Sequence, residues 1–325
     1  MEPFKMNIMD REYRCSAEVI KLLGDALEAY GEYKGYLKNM SYDYNNFLDT
    51  LFVNETYYSF KIDNMSIKKE DMFFMPYKTK SNVTTEFMNM RKALIVGLTE
   101  SSKFGFDVLL FNKLNRILYS SCKKDNTTRG SGMLRKKQTY LLKPGLAGSS
   151  VSYIPPKHTD LILLINDLGK YLNDDKERNF VTIARCHYQF EKMHPYMAGN
   201  GLIGRLLVSI QTSCFKKEPP LLFISESMYA LKNTYFTLLS DSNVEQKEKF
   251  IKFFLQCIID QCNLNIKKIK KLNKIYNYDL EKFKTDIGGT TIYKIYPIML
   301  KKVVFTVNDL SLIHISEPTR HWAIS

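Results

Sequence analysis

Outside a C-terminal stretch, three histidines can carry protons: His158, His187 and His194. His194 stands in Met193-His-Pro-Tyr-Met-Ala-Gly-Asn-Gly-Leu-Ile-Gly-Arg205, between two segments of helical spacing. Gly199-Asn200-Gly201 open the second segment. Glycines let the backbone approach an anion closely, and the N–H groups and dipole of a helix start point at it. Arg205 lies one turn further on, where a guanidinium can reach the same anion. His194, on the lip of the loop, can take a proton from an incoming hydroxyl. A base beside an anion cradle suits transfer from a nucleoside triphosphate, which depends mostly on positioning and charge stabilisation. A plainer reading also fits, because Gly-Asn-Gly is a common tight turn and a histidine before proline commonly ends a helix. The motif taken alone leaves both open.

The surrounding pattern must hold this loop. Residues 11–30 and 84–99 and Val108–Leu118 have helix-like apolar spacing. Between 124 and 157, glycines and prolines (Gly132, Pro144, Gly145, Gly148, Pro155, Pro156) break short alternating runs, predicting a β-hairpin or flap. His158–Leu172 and Lys176–Met193 predict two amphipathic helices leading into the motif, and a third follows from about Gly201 to Phe215. Glu218-Pro219-Pro220 stops it. Ser227–Leu239 and the long Glu245–Lys271 complete a mainly helical pattern.

Composition narrows the class. The chain has 325 residues, 45% hydrophobic and 25% charged, in the range of globular proteins. No apolar run is long enough for a membrane span and the N-terminus lacks a secretory pattern, so no membrane association and a cytoplasmic location are expected. The six cysteines show no CxxC pair and no metal-ligand spacing, which predicts reduced, mostly buried thiols and no zinc. The net charge of +13 raises a nucleic-acid reading, but lysine is spread throughout the chain. Its densest run (Lys267, Lys268, Lys270, Lys271, Lys274) suits either a solvated helix face or a phosphate-facing surface.

The motif string resembles that of the Fic family, H-x-F-x-(D/E)-G-N-G-R-x-x-R, through His194, Tyr196 in place of Phe, Gly199, Asn200, Gly201 and Arg205. Gly132-Met-Leu-Arg135 and Tyr153-Ile-Pro-Pro156 resemble the family's flap and its exit. Ala184–Glu191 resembles the helix entering the motif, and Ser225–Leu239 continues the likeness, so that it spans roughly residues 50–265. The resemblance implies a mainly α Fic-type helical bundle with a small β-hairpin flap. It implies a protein adenylyltransferase in which His194 deprotonates a target Ser, Thr or Tyr hydroxyl that attacks the α-phosphate of ATP. Gly199, Asn200 and Gly201 would hold the phosphates and Arg205 the terminal one, with Tyr235 and Phe236 near the adenine. The partner would be a target protein, or the chain itself, docked by strand addition on the flap at 135–153.

Two positions depart from the motif. Ala198 stands where the family has the acidic residue that binds Mg²⁺, and Leu202 where it has its first arginine. Both losses predict slowed transfer, and they keep a nucleotide-binding pseudoenzyme in view. Upstream, Ser59-Phe-Lys-Ile-Asp63-Asn64 resembles the family's inhibitory signature, (S/T)-x-x-x-E-(G/N), whose acidic residue pairs with the arginine corresponding to Arg205. Asp63 is one methylene shorter than the family's Glu, which predicts a poorer reach. The resulting organisation is an N-terminal helical region at 1–105 carrying Ser59, Asp63 and Asn64, and a Fic core at 106–271. A truncated winged-helix-like segment is expected at 272–310. Residues 311–325, which resemble translated sequencing-adapter sequence, are expected to be non-native. A DNA-associated regulator is a further alternative, which would need an intact C-terminal winged helix.

Overall fold

The computed structural model describes residues 2–69, 72, 82–119, 131–142, 151–174, 178–240, 246–286 and 296. Its helices are α1 (Ala17–Lys38), α2 (Tyr44–Ile62), α3 (Asn82–Phe104), α4 (Val108–Leu118), α5 (Leu161–Leu172), α6 (Phe180–Met193), α7 (Asn200–Lys216), α8 (Ser225–Ala230), α9 (Lys232–Ser240) and α10 (Gln246–Asp286). Short polar side chains begin four of them. Ser16, Asp43, Asp107 and Asn179 each accept a backbone N–H from the first turn, which satisfies donors that a helix start leaves open.

The centre of the bundle is α6, every residue of which is buried. It packs against α1, α5, α7, α9 and α10, which leaves it no solvent face. Its polar residues therefore need internal partners. Arg185 donates to Tyr171 Oη at 2.5 Å and to the Asp10 carbonyl, and its guanidinium lies 4.5 Å from the Tyr13 ring centroid. Gln189 donates to the Asn7 carbonyl at 2.8 Å. Lys192 sits 3.7 Å from the Tyr153 ring centroid and 4.5 Å from that of Phe4. Residues 2–16 thus form a strap across α6, and α1 begins only at Ala17, after its Ser16 cap, rather than at residue 11. The side chains of α6 hold the carbonyls of Asn7 and Asp10 in the strap.

The expected hairpin flap is not seen as such. Leu141–Leu142 (β1) and Val151–Tyr153 (β2) pair antiparallel over this short stretch with an irregular register, and residues 143–150 lie outside the described residues. Residues 131–140 form turns and bends instead of strand, because Arg135 is drawn inward to the motif loop.

Two helices differ from the sequence pattern. The segment 227–239 is divided at Leu231, the C-cap of α8. The long helix continues past Lys271 to Asp286, so the boundary expected at 271/272 marks no break. Ser41 N–H donates to Asn273 Oδ1 at 3.0 Å, and the Tyr42 and Tyr276 rings stand 6.2 Å apart, which ties this extension to the N-terminal helices. Apart from Tyr296, the segment expected to begin a winged helix lies outside the described residues beyond 286, as do Cys122 and residues 311–325. α1 packs on α10 and α2 on α8, so the N-terminal helices share one core with the rest. In the basic run, Lys268 pairs with Glu226 while Lys267, Lys270, Lys271 and Lys274 are exposed. No helix among the described residues is long and apolar enough to cross a membrane.

Candidate active site

His194 ends α6 in a left-handed conformation (φ 46°, ψ 61°), its N–H bonded to the Phe190 carbonyl at 3.1 Å. This turn reverses the chain and sends residues 195–199 back across the start of α7. Gly199 is left-handed too, at φ 78°, and a Cβ there would lie 2.7 Å from the Tyr119 ring. Asn200 fixes the loop between them. Its Oδ1 accepts the Tyr196 N–H at 2.9 Å and its Nδ2 donates to the Tyr196 carbonyl at 2.8 Å. The Asn200 side chain is thus consumed in folding the loop, which leaves only its backbone for the expected phosphate contact.

Gly199 brings no side-chain cap to α7, unlike the residues that open α1, α2, α4 and α6. The first-turn N–H groups of α7 are thus left without a side-chain cap, at the place where the motif predicts an anion. Their mouth is obstructed. A Cβ on Gly201 would lie 2.7 Å from Arg205 Nη1 and 3.0 Å from Asp63 Oδ1, so this glycine makes room for an ion pair lying over the turn.

That ion pair joins Asp63 Oδ1 to Arg205 Nη2 at 2.9 Å. Arg205 Nε also donates to Ser59 Oγ at 2.8 Å, and Nη2 to the Ser59 carbonyl at 3.0 Å. The shorter carboxylate closes the distance because the end of α2 itself lies against the guanidinium. Asn64, left-handed at φ 59°, and the Lys61 carbonyl both accept from Lys232 Nζ, at 2.7 and 2.9 Å. One turn before Ser59, Glu55 accepts Ser225 N–H at 2.9 Å and Ser225 Oγ at 2.5 Å, capping α8. Burial pushes the Glu55 carboxyl up, against the pull of these bonds. Glu55, Ser59 and Asp63 are spaced by four residues, which puts all three on one face of α2. That periodic polar stripe was the available signal for Glu55, which motif matching does not reach.

Arg205 is 1% exposed. Burial works against its charge, but Asp63, Tyr235 and Glu191 together hold it more firmly protonated than usual. Behind it, His187 Nδ1 lies 3.0 Å from the Gly204 carbonyl, which can only accept, so Nδ1 carries the proton. Nε2 then accepts from Tyr235 O–H at 3.0 Å. Burial lowers His187 to about 3, so it stays neutral. Tyr235 is 1% exposed and packs with Phe250 and Phe253. Its ring is a buried side chain of the core. Phe236 is half-buried beside it, the two rings tilted with centroids 5.3 Å apart. Glu191, also buried, is pushed up to about 8 by desolvation, with Arg205 pulling the other way.

Asn112 and Asn115, which carry no motif signal, position the loop together with Tyr196 and Arg135, which do. Asn115 Nδ2 donates to the Ala198 carbonyl at 3.0 Å while its Oδ1 accepts the Gly132 N–H at 2.8 Å. Tyr196 Oη donates to Asn112 Oδ1 at 3.0 Å. Arg135 reaches the His194 carbonyl at 2.9 Å. Burial and the Arg135 charge hold the His194 imidazole down at about 4, against a hydrogen bond to the Glu191 carbonyl, so it is neutral near pH 7. A protein-anchored Mg²⁺ does not fit. Ala198 offers no carboxylate, its carbonyl is engaged by Asn115, and no group of three metal-ligating residues occurs among the described residues. Leu202, 7% exposed, is a core side chain.

A mainly helical bundle carrying this loop has the architecture of solved Fic structures. The chain superposes on a Fic family protein from Desulfovibrio desulfuricans G20 with a TM-score of 0.67 at 16% identity, covering 80% of this chain and 77% of that one. A Fic domain containing signaling protein from Bacteroides thetaiotaomicron gives a TM-score of 0.59 at 17% identity, covering 76% and 97%. Residues 106–211 match the family model described as Fic/DOC family. This part of the chain is a Fic/DOC-family domain. Among curated proteins it is similar to the protein adenylyltransferases Fic of Drosophila yakuba and Drosophila melanogaster, each 26% identical over 129 residues. That alignment takes in 39% of this chain and spans 23% of the length of those relatives.

Proposed function

We propose that the chain is a protein adenylyltransferase held in a locked state by α2. The observation that carries this reading is the Asp63–Arg205 ion pair lying over the first turn of α7, one loop from a neutral His194. In the unlocked protein, ATP lies with its phosphates on the N–H groups of Gly199, Asn200 and Gly201, and Arg205 turns to the terminal phosphate. The His194 imidazole takes the proton of a Ser, Thr or Tyr hydroxyl on the target. The hydroxyl oxygen bonds to the α-phosphorus as the bond to the β-phosphate bridge breaks, and pyrophosphate leaves with that electron pair. The target segment, from another protein or from the chain itself, docks along 135–153 beside β1 and β2. While α2 is in place, its terminal turn and the γ-phosphate compete for one guanidinium.

The test is incorporation of label from ATP labelled at the α-phosphate, in wild type, Asp63→Ala, and Asp63→Ala with His194→Ala. Label that rises with the first change and vanishes with the second supports the reading. Equal labelling with and without His194 removes it.

Ala198 and Leu202 support a second reading, a nucleotide-binding pseudoenzyme, since both supply apolar groups where the family motif has charged ones. It expects ATP to raise the melting temperature of Asp63→Ala without any transfer. Transfer would then appear on adding Ala198→Asp and Leu202→Arg.

A further inference from the structure

Arg135 is buried to 3% exposure, yet no acidic side chain among the described residues pairs with it. Its guanidinium makes four hydrogen bonds, all to backbone carbonyls and drawn from three separate segments. Nε donates to the His194 carbonyl at 2.9 Å, Nη1 to that of Lys137 at 3.1 Å, and Nη2 to Pro156 at 2.5 Å and more loosely to Met193 at 3.5 Å. Its own backbone N–H donates to the Pro195 carbonyl at 2.9 Å. Arg135 therefore brackets the reversal at His194 from both sides, binding the carbonyls of residues 193, 194 and 195. A left-handed non-glycine residue costs of order 1–3 kcal/mol and persists only where its surroundings over-determine it. These bonds are that over-determination. Gln138, three residues on, donates to the Pro155 carbonyl at 2.8 Å, so the same segment is fastened twice to the exit of β2.

We propose that Arg135 is the positioning residue of this site: its guanidinium fixes the left-handed turn that presents the His194 imidazole, and locks that turn to the segment on which a target docks. The planar fork is essential, because an ammonium cannot reach carbonyls spread over three segments. A buried positive charge beside the imidazole also disfavours its protonation, which keeps the base neutral. The role of His194 as base rests on the adenylyltransferase reading, whereas the geometric and electrostatic coupling of the two residues does not.

The experiment separates these. In the full-length chain, the His194 ring is titrated by NMR in wild type, Arg135→Lys and Arg135→Met, with the signal assigned by its loss in His194→Ala and folding checked by circular dichroism. Transfer kinetics are measured for the same changes in the Asp63→Ala background. In Arg135→Met the His194 pKa is expected to climb towards the ordinary imidazole value of about 6.5, and the acid limb of the transfer profile should move with it. In Arg135→Lys the charge remains and the fork is lost. There the low pKa is expected to persist while kcat falls on the order of 10- to 100-fold with KM for ATP nearly unchanged. A wild-type His194 titration in folded Arg135→Met overturns the electrostatic coupling, and unchanged His194 resonances together with unchanged kcat in Arg135→Lys overturn the positioning role. Should Arg135→Met not fold, Arg135→Lys alone decides the positioning role. If wild type and Asp63→Ala transfer no AMP, the enzyme reading fails and the titrations and resonances still decide the coupling.

Discussion

Asp63 Oδ1 lies 2.9 Å from Arg205 Nη2, over the first turn of α7, where Gly201 leaves the space that any side chain would fill. The carboxylate keeps 29% of its side-chain surface in water while the guanidinium is sealed. Such a pair holds firmly from the buried side but can be displaced from the wet one. Solvent limits its strength to about 1–2 kcal/mol.

Removing the carboxylate should therefore release the site by a measurable but finite factor. Asp63→Ala is expected to raise nucleotide affinity and labelling from α-phosphate-labelled ATP by about 5- to 30-fold, the equivalent of that energy. Titration of a fluorescent ATP analogue checks the affinity independently of any transfer. An unchanged Kd would mean that α2 does not control the cradle.

Stability should respond to pH through Glu191. Its carboxyl titrates at about 8 in the fold against 4.5 for the free side chain, so the folded chain keeps a proton that the unfolded chain has released. Its contribution is complete below about pH 4.5 and is lost as pH rises through 8, at up to ~1.4 kcal/mol per unit in that window. Glu191→Gln cannot ionise. Relative to wild type, it should gain at least about 1 kcal/mol between pH 5 and pH 8, measured by urea unfolding at both. Parallel pH curves for the two proteins would refute the assignment.

Asn200 acts by folding the loop. Asn200→Ala removes both side-chain bonds to Tyr196 and leaves buried backbone groups unmatched, at a cost of about 1–3 kcal/mol. The midpoint of chemical unfolding should fall accordingly without nucleotide present. A variant as stable as wild type would show that the loop is held by other contacts.

Tyr235 distinguishes core from pocket. Tyr235→Phe keeps the ring packing but strands His187 Nε2 in the interior, and should cost about 1–3 kcal/mol of stability. ATP affinity in the Asp63→Ala background is expected to be unchanged within about twofold, since this is a change of under 0.5 kcal/mol. A selective loss of adenine nucleotide binding would instead restore the ring to the ligand site.

The amino-acid order by itself determined the helical class, because apolar spacing and capping residues are local properties. It also placed the loop from His194 to Arg205 and the upstream Ser59-x-x-x-Asp63-Asn64, since short motifs survive in sequence as fixed spacings. Ala198 and Leu202 were equally plain as departures. What only the tertiary structure decided were relationships between segments far apart along the chain. No spacing encodes that Arg135 braces the His194 turn, that Asn115 holds the Ala198 carbonyl, or that Glu55 caps α8. The direction of the Tyr235 side chain likewise depends on α6 and α10 closing over it, and the path of residues 2–16 on the demands that buried Arg185 and Gln189 make of it. These features arise because polar groups enclosed in a core must find partners wherever the fold brings them, and a linear pattern of residue types carries no record of that proximity.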